Sequence, residues 1–150
     1  MKIVELRIAG FQSFGPESTT IELDDLSFLV GPNGAGKTAV LQSLVRLFGY
    51  NSSSRAIAKS DFHVLSSTPG EEPVAGQGLW IEARFEFPEV VESDASHATV
   101  PGHFSQMKLA TADGSPQMVV RLTATIAKDG EVDEDIVYVV EAERLSIRPP

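Results

Sequence analysis

The run Leu26-Ser27-Phe28-Leu29-Val30, followed at once by Gly31-Pro32-Asn33-Gly34-Ala35-Gly36-Lys37-Thr38 and then by residues 39–48, decides how this chain is read. The first five residues are a short apolar run of the kind buried in the middle of a sheet. The octet fits G-x-x-x-x-G-K-[ST] at every fixed position. In the third stretch Val40, Leu41, Leu44, Val45, Leu47 and Phe48 recur at helical spacing, and Gly49 stands where a C-cap is expected. The order strand, glycine loop, helix meets both context requirements of a phosphate-binding loop.

Each residue type in the octet has a physical task. Gly31, Gly34 and Gly36 allow backbone geometry closed to residues with side chains, so that peptide N–H groups of 31–38, including those of Asn33 and Ala35 beside Pro32, can close on phosphate oxygens. The helix beginning near Lys37 aims the positive end of its dipole at the same oxygens. Lys37 is placed to reach the β- and γ-phosphates, and the Thr38 hydroxyl to ligate Mg²⁺. The expected ligands are therefore ATP and Mg²⁺.

Upstream of this stretch, Ile3, Leu6 and Ile8 alternate with polar neighbours up to Gly10, which predicts a first strand. Thr19–Leu23 reads as a second strand, antiparallel to the first because the link is short. Downstream, residues 55–59 read as a short helix leading into Ser60-Asp61-Phe62-His63, and the Ser-, Pro- and Gly-rich segment 66–78 as a surface loop. Leu79–Phe87 is a strand with Trp80, Glu82, Arg84 and Glu86 on one face and Leu79, Ile81, Ala83, Phe85 and Phe87 on the other; Pro88 stops it. A short helix is expected near Phe104–Leu109. Met118–Ala127 and Ile136–Glu143 form a hairpin across Asp129-Gly130. That hairpin discounts Ile136-Val137-Tyr138-Val139-Val140-Glu141 as a Walker B strand, since the expected acidic pair is replaced by Glu141-Ala142-Glu143.

Asn33-Gly34 within the octet resembles the G-x-N-G-x-G-K-[ST] form of ABC-type ATPases, including the SMC and RecF-like DNA-repair branch. Gly10-Phe11-Gln12-Ser13-Phe14 is similar to the G-F-[KR]-S-F segment of that group, with Gln12 in the usual basic position. Gln12 joins the expected nucleotide site, where an amide can hydrogen-bond a phosphate or a base without cationic attraction. With Arg55 and Ser60-Asp61-Phe62-His63, residues 1–65 most resemble the OLD (overcoming lysogenisation defect) family of ATP-dependent nucleases. The resemblance implies an α/β P-loop NTPase fold, an ABC-type head with a flanking antiparallel β-layer, of which residues 1–150 are the N-terminal portion. It further implies dimerisation through the heads, and a downstream Toprim nuclease for which ATP licenses DNA cleavage. The alternative is an SMC- or RecF-like clamp that holds DNA without cutting it. The ABC signature motif, Walker B pair and switch histidine are not visible in these 150 residues.

Composition bounds the partners. Twelve basic residues face 21 acidic ones, a net charge of −9, so this segment alone should bind nucleic acid poorly and DNA contact would fall to the assembly. No apolar run approaches the ~20 residues that cross a bilayer, which argues against membrane association. The lack of cysteine fits a cytoplasmic setting. Other polar residues carry ordinary expectations. His63 is expected as a structural hydrogen-bonder, with sensing of the γ-phosphate or an interface as the alternative. Arg46 and Arg55 are expected as exposed helix arginines, with phosphate or partner contacts as the alternative. His97 and His103 lack zinc-ligand spacing. Residues 131–135 form a solvated acidic tip, and Trp80 is half exposed against a loop, with adenine or a partner as the alternative contact.

Overall fold

The computed structural model describes residues 1–64, 72–88, 109–110, 116–140 and 145–147. Its frame is one seven-stranded sheet in the order β2-β1-β3-β5-β6-β7, with β4 paired to β5. The strands are β1 (Lys2–Ala9), β2 (Thr19–Glu22), β3 (Gly78–Glu86), β4 (Leu109–Ala110), β5 (Pro116–Ile126), β6 (Val132–Val140) and β7 (Leu145–Ile147). Every pairing is antiparallel. The alternation of β3 holds as read from the sequence. Leu79, Ile81, Ala83 and Phe85 oppose Ala124, Leu122, Val120 and Met118, all buried on one face. The Asp129-Gly130 hairpin also forms: Gly130 N donates to Ala127 O at 3.0 Å and Ala127 N to Glu131 O at 2.8 Å. Ile136–Val140 is thus an antiparallel hairpin strand; Glu141 lies outside the described residues.

Against the apolar face packs α1 (Lys37–Phe48), contributing buried Ala39, Val40 and Leu47 to a core with Leu6, Ile8, Phe11, Ile81, Ala83 and Leu122. Gly49 caps its end, as its sequence position suggests. Phe48 meets Phe85 edge to face with ring centroids 5.4 Å apart, a favoured aromatic geometry. Burying side chains such as Ile8, Ile81 and Leu122 stabilises by about 1.5–3 kcal/mol each before entropy is counted, which ties helix to sheet.

Two sequence expectations need correcting. Residues 26–30 are not a strand: Leu26 is 73% exposed, Phe28 78% and Val30 91%. An apolar run becomes a central strand only where neighbours take its N–H and C=O groups. Among the described residues every paired strand belongs to the antiparallel sheet, and none borders 26–30. The helix expected over 55–59 is also displaced. A short helix α2 (Ser52–Arg55) comes first, because the Asn51 side chain accepts from Ser54 N at 2.8 Å and caps it; a single 3₁₀ turn follows at Lys59–Asp61. Of the helix expected near Phe104–Leu109, residues 104–108 lie outside the described residues, and Leu109 belongs to β4.

Candidate phosphate-binding site

Two segments fifty residues apart are zipped together beside the glycine loop. Gln12 N donates to Asp61 O at 2.7 Å and His63 N to Gly10 O at 2.7 Å, framing an antiparallel bridge between Phe11 and Phe62. His63 Nδ1 donates to Gln12 O at 2.6 Å, the structural role expected of it. Gly10 is required at the head of this zipper, for a Cβ there would stand 2.5 Å from Gly78 O, against backbone that cannot yield.

Asp61 is the hinge-pin of the arrangement. It is 2% exposed, yet its carboxylate is fully engaged. Arg46, on α1, pairs with it at 2.9 Å, and Ala58 N donates to it at 3.0 Å. Gln12 Nε2 donates to its Oδ1 at 3.0 Å. Arg46 also donates to Ser54 O at 2.7 Å. The expectation of an ordinary exposed arginine is overturned here: Arg46 neutralises a buried acid, which is tolerable inside a protein only when paired and hydrogen-bonded. Arg55 likewise is not free, donating to Gly49 O at 2.6 Å. Through Asp61 the helix that follows the glycine loop is fixed to the 10–14 segment.

On that support, Gln12, Ser13, Asn33, Gly34, Gly36, Lys37, Thr38 and Ala39 line a cavity of about 430 Å³. Gly34 and Gly36 take φ of 84° and 86°, the left-handed region that glycine enters without strain. Gly31 does not; its need for hydrogen is spatial, since a Cβ would lie 3.3 Å from that of Ala35. At Gly36 a Cβ would meet Ser13 Oγ at 3.0 Å and Phe14 at 3.3 Å, so the loop rests directly on the 10–14 segment. Lys37 Nζ is folded back on the loop, donating to Gly31 O at 2.6 Å and Pro32 O at 2.7 Å. The Thr38 side chain is exposed at the first turn of α1.

A larger cavity, about 610 Å³, is lined by Pro16, His63, Val74 and Gln77 among others. Its amide is engaged at both ends: Gln77 Nε2 donates to His63 O, and its Oε1 accepts from Val74 N at 3.2 Å. The glycine-loop cavity is the better candidate, because a lysine and a helix N-terminus meet there. Trp80 lines neither cavity. It lies on the other face of the sheet, between the guanidinium groups of Arg7 and Arg121, 5.4 and 4.9 Å from its ring. Both arginines also pair with Glu82, which is 4% exposed. Glu134, expected at a solvated tip, accepts from Ile57 N at 2.8 Å. No metal-ligating cluster of His, Asp and Glu occurs among the described residues, and His97 and His103 fall outside them.

A glycine loop running into a helix, packed beside an antiparallel layer, is the fold of a P-loop NTPase of the ABC-type head. A family model described as an AAA ATPase domain matches residues 1–99, and the chain belongs to that family. It is also similar to the chromosome partition protein Smc of Halobacteriovorax marinus, 41% identical over 61 residues. That match covers 40% of this chain and 5% of Smc, so the chain corresponds to a small part of that relative. Among solved structures, one described as "Structural biochemistry of ATP-driven dimerization and DNA stimulated activation of SMC ATPases" superposes with a TM-score of 0.53 at 17% identity. The superposition spans 91% of this chain and 69% of that one; at that identity the likeness is one of fold. Among the described residues no helix is long and apolar enough to cross a membrane.

Proposed function

We propose that this chain is the nucleotide-binding part of an SMC-like ATPase head, taking ATP and Mg²⁺ at residues 31–38. The observation that carries the reading is the convergence of Lys37 and the N-terminus of α1 on the 430 Å³ cavity. Backbone N–H groups of Gly31, Asn33, Gly34, Ala35 and Gly36, with Pro32 shaping the turn, would cradle the phosphates. Lys37 would exchange its two carbonyl partners for phosphate oxygens, a charge-assisted and stronger contact. Thr38 would hold Mg²⁺, which screens charge on the β- and γ-phosphates.

Residues 1–150 act, in this reading, as one part of a larger head. The exposure of Leu26, Phe28 and Val30 supports it, as does the small share of Smc that is matched. Two heads would close on ATP as the solved SMC ATPases do by their description, with DNA engaged by the assembly. Hydrolysis by the 150 residues alone would be very weak. A second reading makes the whole protein an OLD-like nuclease, supported by one observation: Asp61-Phe62-His63 and Gly10-Phe11-Gln12, segments that carry that resemblance, fold against each other. The similarity to Smc supports the clamp equally well.

Calorimetric titration of Mg·ATP into the chain and into Lys37→Ala tests the core of the proposal. Saturable binding is expected in the first and none in the second. Equal binding by both would place the nucleotide elsewhere, and rapid turnover by the chain alone would mean that it holds its own catalytic acid.

A further inference from the structure

The carboxamide of Gln12 has a fixed orientation, and that orientation decides what it can offer a ligand. Its Nε2 stands 3.0 Å from Asp61 Oδ1 and also donates to Gln42 Oε1. Asp61 is paired with Arg46 and receives the Ala58 N–H, so its carboxyl oxygens act as acceptors. An amide oxygen turned toward it would set lone pair against lone pair, so the nitrogen of Gln12 must be the atom facing Asp61. That nitrogen carries two hydrogens, and two partners take both. What remains for a ligand is Oε1, an acceptor with no hydrogen to give.

The backbone from which this side chain springs is fixed as well. Gln12 has φ of 48°, a left-handed conformation that a non-glycine residue keeps only where its surroundings fix it. Here they do: its N–H is bound to Asp61 O and its carbonyl to His63 Nδ1. Gln12 is nevertheless among the residues that line the glycine-loop cavity. A lysine or arginine at this position would deliver a donor to phosphate. Glutamine, with its nitrogen tied down, delivers the reverse.

We infer that Gln12 is a specificity residue that accepts a hydrogen bond from the nucleoside end of the nucleotide, from a ribose hydroxyl or an adenine amine, and takes no part in holding phosphate. Phosphate oxygens are acceptors and are repelled by Oε1; hydroxyl and amine hydrogens are its natural partners. The inference rests on the nucleotide reading proposed above and narrows which part of the ligand each side of the cavity recognises.

The test is calorimetry on the 150-residue chain and on Gln12→Ala, with Mg²⁺, using ATP and inorganic tripolyphosphate as probes. Gln12→Ala is expected to weaken ATP by about fivefold to tenfold, the range of one hydrogen bond, and to leave tripolyphosphate within about twofold. Equal weakening of both probes would assign Gln12 to phosphate and overturn the inference; so would unchanged affinity for ATP. The unaltered chain supplies a test that needs no variant. The triphosphate of purine riboside, which lacks the amine, and 2′-deoxy- and 3′-deoxy-ATP are titrated in turn. A loss of the same size with one of them identifies the donor, and affinity equal to that of ATP for all three overturns the inference. Should the unaltered chain bind neither ATP nor tripolyphosphate, the nucleotide reading itself fails, and the inference with it.

Discussion

Removing the Arg46 guanidinium leaves the Asp61 carboxylate, 2% exposed, without its counter-ion. Breaking a buried pair from one side costs about 3–5 kcal/mol, so Arg46→Ala is expected to lower stability by that order in urea unfolding. A loss below about 1 kcal/mol would mean that water reaches Asp61. Replacing both partners with apolar residues should recover part of the loss, because the cost lies in the orphaned charge more than in the missing attraction. Nothing in the sequence announces this pair. Arg46 and Asp61 are fifteen positions apart, and the helix, the capped turn at Asn51 and the 3₁₀ turn must all form before they meet. Lys37 and Thr38 were legible because the octet states its own spacing; Arg46 states nothing until the chain is folded.

At the scale of elements, periodicity spoke clearly where one face is buried against a layer that this chain itself supplies. Leu79–Phe87 alternates because Ile81 and Ala83 face α1 and the core, and the 39–48 pattern is helical because Ala39, Val40 and Leu47 pack there. The run 26–30 misled for a related reason. Its apolar character calls for neighbours that are not among the described strands, and without them Phe28 and Val30 face outward. Their side chains therefore contribute little to the stability of these 150 residues. Phe28→Ser is expected to change the urea midpoint by an amount equivalent to less than about 0.5 kcal/mol, as for other surface substitutions. A loss above about 2 kcal/mol would show that Phe28 is covered in the isolated chain.

Across the whole molecule, the charge balance sets what the chain meets alone. With 21 acidic residues against 12 basic ones, its net charge of −9 opposes the approach of phosphate backbones. Fluorescence anisotropy with a labelled duplex at about 150 mM salt is expected to show no saturable binding by the chain. Tight binding would require a local basic surface, and would move the proposed DNA contact from the assembly into these residues. The cation-flanked indole on the sheet's other face has a practical consequence. Trp80 is the single tryptophan of the sequence, set beside arginines from β1 and β5 on the face of the sheet opposite the apolar core. Its emission is thus a one-channel optical probe of the central strands. It changes as β1, β3 and β5 separate and the two guanidinium groups leave the ring, so a melting curve followed at this one residue reports the parting of the three central strands.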